Sequence, residues 1–232
     1  MGKNITFIQV YFRIKDMRHI IIALHSIRLA LFFLFFRKSF DFHDRFSTKV
    51  QETFEVLGGG FIKIGQMMSM RVEFLPEVYC QKLRNCYDAA PAISHKDVQK
   101  CLKGIEQHFS SIEWEPIASA SVAQVHKAEL LTGEIVAVKI LRPGIRKVIR
   151  KDLFWWNLLA FFVKKRFSRI PKKKWKEMVT YVCEHVVQET DLINEAKNMA
   201  LMQRKVLTDR IMIPQVHSLL SSSSVLIMEF LA

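Results

Sequence analysis

The run from Ile117 to Lys139, IASASVAQVHKAELLTGEIVAVK, restricts this chain more than any other stretch of it. It reads as a small-residue loop, a strand, a tight turn at Thr132-Gly133 and a second strand that closes on a lysine. Val136, Val138 and Ile140 alternate with Ala137, Lys139 and Leu141, the period of two that sends successive side chains to opposite faces of a sheet. Ala137 and Lys139 therefore share a face. A side chain as small as alanine leaves room there for a flat ring, and a lysine two residues on reaches a phosphate. The loop has the spacing of a phosphate-covering G-x-G-x-x-G-x-V turn, and the strand after it ends in VAVK where such hairpins carry V-A-I-K. Ala118, Ala120 and Ala123 stand in the glycine places and Val125 in the valine place. Glycine lets such a loop drape backbone N–H groups over phosphates because it reaches positive φ without penalty. Alanine is nearly as small but resists those conformations. This loop is expected to be stiffer and differently shaped, while still admitting a nucleotide. An ordinary small-residue hairpin fits the same letters.

Helices are expected on the N-terminal side. Met1 to about Phe54 reads as helical, and three glycines from Gly58 to Gly60 suggest a boundary near Gly58. Phe61 to Arg71 has helical character, and Pro76 opens a short helix. Ser94 is a natural N-cap for a further helix with Val98, Leu102 and Ile105 at helical spacing. After the hairpin, Pro143-Gly144 ends the strand and a hydrophobic helix follows. The stretch from Lys172 to about Asp209 then contains neither glycine nor proline. The segment from Arg210 to Phe230 reads as two strands around a turn at Ser221–Ser224.

A length of 232 residues allows one or two domains, and a net charge of +13 calls for a negatively charged partner. No DNA- or RNA-reading motif accompanies that charge, so nucleic acid is not expected as a partner and lipid or nucleotide phosphate is. Cys80, Cys86, Cys101 and Cys183 show no C-x-x-C spacing and read as free thiols of a reducing compartment. His126 and His217 read as structural, and no metal site is expected. The apolar run Ile20–Phe36 is near the lower limit for a membrane span. Its apolar residues favour insertion by roughly 0.3 to 0.6 kcal/mol each, while a central arginine such as Arg28 opposes it by roughly 2.5 to 3.5 kcal/mol. A helix packed on the protein or lying in the membrane interface is the expectation. The segment Lys164–Lys176 carries eight cations interleaved with Phe167, Ile170 and Trp175, a composition that suits anionic headgroups.

Together these motifs resemble the UbiB family of atypical kinases, the aarF-domain or ADCK-type proteins, from about Glu52 to Ala232. The likeness rests on FIKIGQ (a K-x-G-Q motif at Lys63, Gly65 and Gln66), the alanine-rich loop, VAVKILRPG, ETDLINEAKNM (an E-x-D motif at Glu189 and Asp191, then E-A-x-N) and VLIMEFLA, all in the family order. The resemblance implies an α+β fold built on a protein-kinase-like N-lobe, with a small antiparallel sheet, a long helix of αC type and a helical N-terminal extension. It divides the chain into a membrane-associating helical segment at 1–56, a K-x-G-Q extension at 57–111 and the N-lobe at 112–232 with a helical insertion at about 145–176.

It further implies that ATP or ADP lies against Ala118, Ser119, Ala120, Ser121, Val122, Ala123, Ala137 and Lys139, with Glu229 at the hinge. Lys139 resembles the kinase lysine that holds the α- and β-phosphates and pairs with a glutamate on helix αC. By family match that glutamate is Glu195, a pairing that spacing alone would not make. Glu189 and Asp191 would lie about 200° apart on a helix, whereas Asp191 and Glu195 would be neighbours at i, i+4 whose repulsion asks for a cation. In the family Lys63 is that cation, because the K-x-G-Q helix folds over the nucleotide pocket. The chain stops just past the hinge-like MEF, and no H-x-D or D-F-G segment follows it. The expectation is therefore a portion lacking the C-lobe, with Mg²⁺ bound only if a C-lobe is supplied. Function is expected in prenylquinone (ubiquinone) biosynthesis, with prenylquinone precursors or biosynthetic proteins as partners, on an anionic membrane surface. The cytoplasmic side of a bacterial inner membrane is the expected location, with an organellar inner membrane as the alternative. A non-catalytic, membrane-associated binding or regulatory module is the other reading.

Overall fold

The computed structural model describes residues 7–86, 90–167, 171–205 and 211–231, with side chains described from Met17 onward and not for 165–167. Contacts divide the chain into two units: Met1–Tyr87 with Arg146–Val186, and Asp88–Ile145 with Val187–Ala232.

The second unit is built on the hairpin. β3 (Ala123–Leu130) and β4 (Ile135–Leu141) pair antiparallel from Ala123↔Leu141 to Glu129↔Ile135. Gly133 closes the turn between them at φ +84°, a conformation in which a Cβ would be strained. The sheet runs β1 (Phe109–Ile112), β3, β4, β5 (Val225–Glu229), and the two-residue β2 (Ala118–Ser119) pairs with β3. One face of the sheet holds Ala128, Val136, Val138, Ile140, Val225 and Ile227 against Val98 and Leu102 of α5 (His95–Leu102). Ser94 caps that helix by accepting the Asp97 N–H. Lys100 and Ser94, both bonded to the Asp97 carboxyl, hold it below its ordinary value. Gly104, at φ +93°, turns the chain after the helix, so Ile105 lies beyond α5 yet still packs on the core. Because Val98 and Leu102 find their partners in the sheet, α5 belongs with the strands and not with the helices before it.

One expectation changes here. The closing segment forms one strand, β5, where two were expected; Val216 makes only an isolated bridge to Met228, because the chain from Ile211 to Gln215 takes no strand conformation. The unbroken stretch after Lys172 is two helices, α7 (Lys172–Gln188) and α8 (Leu192–Lys205). The Thr190 hydroxyl donates to the Val187 carbonyl and the Asp191 carboxylate accepts the Asn194 N–H, so two polar side chains end one helix and cap the next.

The first unit is helical: α1 (Phe7–Phe36), α2 (Phe42–Leu57), α3 (Gly60–Met68), α4 (Glu77–Arg84) and α6 (Ile145–Phe167), with most of α7. The boundary expected near Gly58 is a turn inside this unit. Gly58 and Gly59, both at positive φ, reverse the chain between α2 and α3. The expected insertion groups by its contacts with these helices. A buried ion pair explains much of that: Arg18 of α1 donates from Nε and Nη2 to both oxygens of Asp152 on α6, at 2.6 and 2.7 Å. Asp152 also accepts the Gly60 N–H at 2.9 Å, and Arg18 donates to the Leu57 carbonyl at 2.8 Å. One carboxylate thus joins α1, the α2–α3 turn and α6. Burial pushes the Asp152 carboxyl upward, against the opposite pull of Arg18 and Gly60.

Candidate functional site

Strand register assembles the site from the hairpin outward. Directly opposed residues share a face, so Ala118, Val125, Lys139 and Leu226 form one row across β2, β3, β4 and β5. Lys127, Ala137 and Met228 form the next row on the same face. This is the face opposite the α5 core. α8 packs along β5, and Glu195 in its first turn reaches Lys139.

The Lys139 ammonium donates to both Glu195 oxygens, at 2.7 and 2.8 Å. Side-chain exposures of 24% for Lys139 and 35% for Glu195 leave the pair reachable from solvent. The cation expected for the acidic residues of α8 is therefore met, for Glu195, by Lys139. Asp191 stands one turn before Glu195 as the cap residue: its carbonyl accepts the Glu195 N–H at 3.0 Å and its carboxylate is committed to the Asn194 N–H. Glu189 is exposed in the turn between α7 and α8.

The alanine loop is a closed hairpin tip. The Ala120 N–H donates to the Ala123 carbonyl at 2.9 Å, and no described residue other than glycine has positive φ. Ala118 is exposed, Ser119 and Ala120 are half-buried, and Ser121, Val122 and Ala123 are buried. The loop thus adopts conformations that alanine tolerates. That is the structural consequence of losing the glycines.

Other predicted residues take different positions. Glu229 pairs with Val136, which puts its side chain on the core side of the sheet, and its carboxylate accepts the Gln215 N–H at 3.2 Å. Its backbone N–H donates to the Gln215 carbonyl at 2.8 Å. Lys63, Gly65 and Gln66 lie on α3 in the first unit. Gly65 has a packing reason there, since a Cβ would stand 3.0 Å from the Phe54 ring and 3.2 Å from Cys86 Sγ. Of the basic segment, 168–170 lies outside the described residues. Met228 and Leu226, which share the face of Ala137 and Lys139, were not singled out from sequence; the alternation in VLIME carried that signal. Arg142 was also missed, and its bonds to the loop are non-local. Among the described residues, no three His, Cys, Asp or Glu side chains could together hold a metal ion.

Residues 85–232 match the ABC1 atypical kinase-like domain. The chain belongs to the ABC1 atypical kinase-like family. It is 34% identical over 198 residues to the ABC1 family protein C10F6.14c of Schizosaccharomyces pombe, covering 81% of this chain and 36% of that protein. It is 37% identical over 182 residues to the probable protein kinase UbiB of Pseudomonas putida, covering 75% and 33%. This ABC1-family chain thus spans about a third of the length of the curated relatives it matches. Among solved structures it is similar to the complex of Rv3197 with erythromycin from Mycobacterium tuberculosis, with a TM-score of 0.50 and 28% identity over 76% of this chain and 46% of that one. The α+β fold with its small antiparallel sheet is that of a kinase-like N-lobe.

Proposed function

We propose that this chain is the adenine-nucleotide-binding portion of a UbiB-like atypical kinase or ATPase that acts in prenylquinone (ubiquinone) biosynthesis at a membrane. The observation that carries the proposal is the Lys139–Glu195 ion pair on the sheet face beside the alanine hairpin. An ion pair of this kind orients the ammonium without neutralising it for a doubly charged phosphate, and Ala137, buried one row away on the same face, is the small side chain against which a ring would pack. ATP or ADP would lie against Ala137, Lys139 and the loop 118–123, with Glu229 at the hinge near the base. The proposal assigns no Mg²⁺ ligand to these residues. Titration with ATP and ADP, followed by the chemical shifts of residues 118–123 and 137–139, tests it: shifts confined elsewhere would refute the site.

Attachment to an anionic membrane surface belongs to the same proposal. Met17–Phe36 is long and apolar enough to cross a membrane by length and composition, with 6% of the segment buried. Ile20, Leu24, Ile27, Leu31 and Leu34 are all exposed along it. Arg28, near its centre, favours a helix lying in the interface over one crossing the membrane. The same apolar surface supports the second reading, a membrane-associated binding or regulatory module without catalysis.

A further inference from the structure

The alanine loop is held by a residue outside the motif. Arg142 directly follows β4, and its Nε donates to the Ala120 carbonyl at 2.7 Å while Nη2 donates to Ser119 Oγ at 2.9 Å. Its backbone N–H donates to the Val122 carbonyl at 2.9 Å. Ser119 Oγ in turn donates to the Ala90 carbonyl at 2.8 Å, on the segment that leads into α5. The tip of the hairpin is therefore bonded on one side to the chain entering the sheet unit and on the other to the chain leaving it.

A glycine loop is mobile and is ordered by the phosphates it covers. A loop of alanines in ordinary conformations, tied at Ser119, Ala120 and Val122, is ordered beforehand. The guanidinium is suited to that task, because its rigid fork addresses two acceptors at once, whereas a lysine ammonium of the same charge is a point donor on a flexible stem. We propose that Arg142 is a positioning residue: by holding the Ala120 carbonyl and the Ser119 hydroxyl it fixes the alanine loop in one closed conformation, and so strengthens nucleotide binding without touching a phosphate. This rests on the nucleotide reading given above. The benefit is that of a cover organised before the ligand arrives.

Charge and clamp are separable. Arg142→Lys keeps the cation and loses the fork; Arg142→Gln loses both; Ser119→Ala removes one acceptor. With the full chain, two readouts are taken: deuterium exchange of the loop 118–124 without ligand, and ATP and ADP affinity by titration. The clamp requires about tenfold faster loop exchange and about tenfold weaker binding of both nucleotides in Arg142→Lys and Arg142→Gln alike, the equivalent of ordering about one residue on binding. It also requires Ser119→Ala to be weaker than wild type, and the double variant Ser119→Ala/Arg142→Lys to lose less than the sum of the singles, because the two share one bond. Melting temperatures within a few degrees of wild type would show that the loop and not the fold is altered. If Arg142→Lys exchanges and binds like wild type, Arg142 acts as a charge and the clamp is refuted. A wild-type chain that bound neither nucleotide would overturn the nucleotide reading and the affinity role with it, while the exchange rates would still decide whether Arg142 holds the loop.

Discussion

Lys139→Ala separates what the ion pair does for the fold from what the lysine does for a nucleotide. The pair is short and bidentate, but with side chains 24% and 35% exposed it is screened by water. Its loss should lower stability by no more than about 1 kcal/mol, or about 2–4 °C in melting temperature for a chain of this size. A charge-assisted bond from Lys139 to a phosphate is larger, about 1.5–3 kcal/mol, which is roughly 10- to 150-fold in affinity. With a wild-type dissociation constant of about 1 mM and 10 mM nucleotide, binding stabilises the folded chain by roughly 1.4 kcal/mol; a tenfold weaker variant retains roughly 0.4 kcal/mol. The assay is a thermal melt of wild type, Lys139→Ala and Glu195→Gln with and without 10 mM ATP or ADP, with the concentration set about tenfold above that constant. Glu195→Gln breaks the same ion pair and keeps the cation with less to orient it, so its nucleotide-dependent shift should lie between those of wild type and Lys139→Ala while its unliganded melt falls like that of Lys139→Ala. If Lys139→Ala shows the full wild-type shift with both nucleotides, the lysine does not meet a phosphate and the hairpin is only a hairpin.

Breaking the buried pair of the first unit by Asp152→Asn should destabilise it by about 3–5 kcal/mol, because Arg18 is left charged and 6% exposed; replacing both partners by apolar residues should recover much of the loss, as denaturant midpoints would reveal. Gly65→Ala should destabilise by about 1–3 kcal/mol through its contact with the Phe54 ring, measured the same way, and a neutral result would mean that α2 and α3 separate easily. Burial pushes the Cys86 thiol from 9.0 to about 11, so the unfolded chain ionises first as pH rises; stability contributed by this group is intact below pH 9 and is lost between 9 and about 11. Urea midpoints in that window should fall more steeply for wild type than for Cys86→Ala. Binding to anionic liposomes should weaken as salt is added, since screening shortens the reach of the Lys172, Lys173, Lys174 and Lys176 charges; equal binding to neutral vesicles at high salt would refute the electrostatic part.

The hairpin was legible because its determinants are local. Alternation through Lys139 placed Ala137 and Lys139 on one face, Gly133 marked the turn, and Ser94 marked the start of α5, each within a few residues of its effect. Substituting alanine for glycine in the loop likewise implied a restricted backbone, and the loop has no positive φ outside glycine. The cap at Thr190-Asp191 was written in the same local chemistry, but in a stretch without glycine or proline it was not singled out. The remaining arrangement depends on contacts that no spacing encodes. Lys139 meets Glu195 across 56 positions, a pairing that came from family resemblance, and Arg18 meets Asp152 across 134. Glu229 faces the core because register with Val136 decides its side, and Arg142 reaches the loop only because β2, β3 and the end of β4 are brought side by side. Short-range hydrogen bonding and alternation are properties of the sequence read in order. Which charges meet, and which loop an arginine can hold, is decided only when burial of the Val98–Ile227 core and of Asp152 brings distant segments to one place.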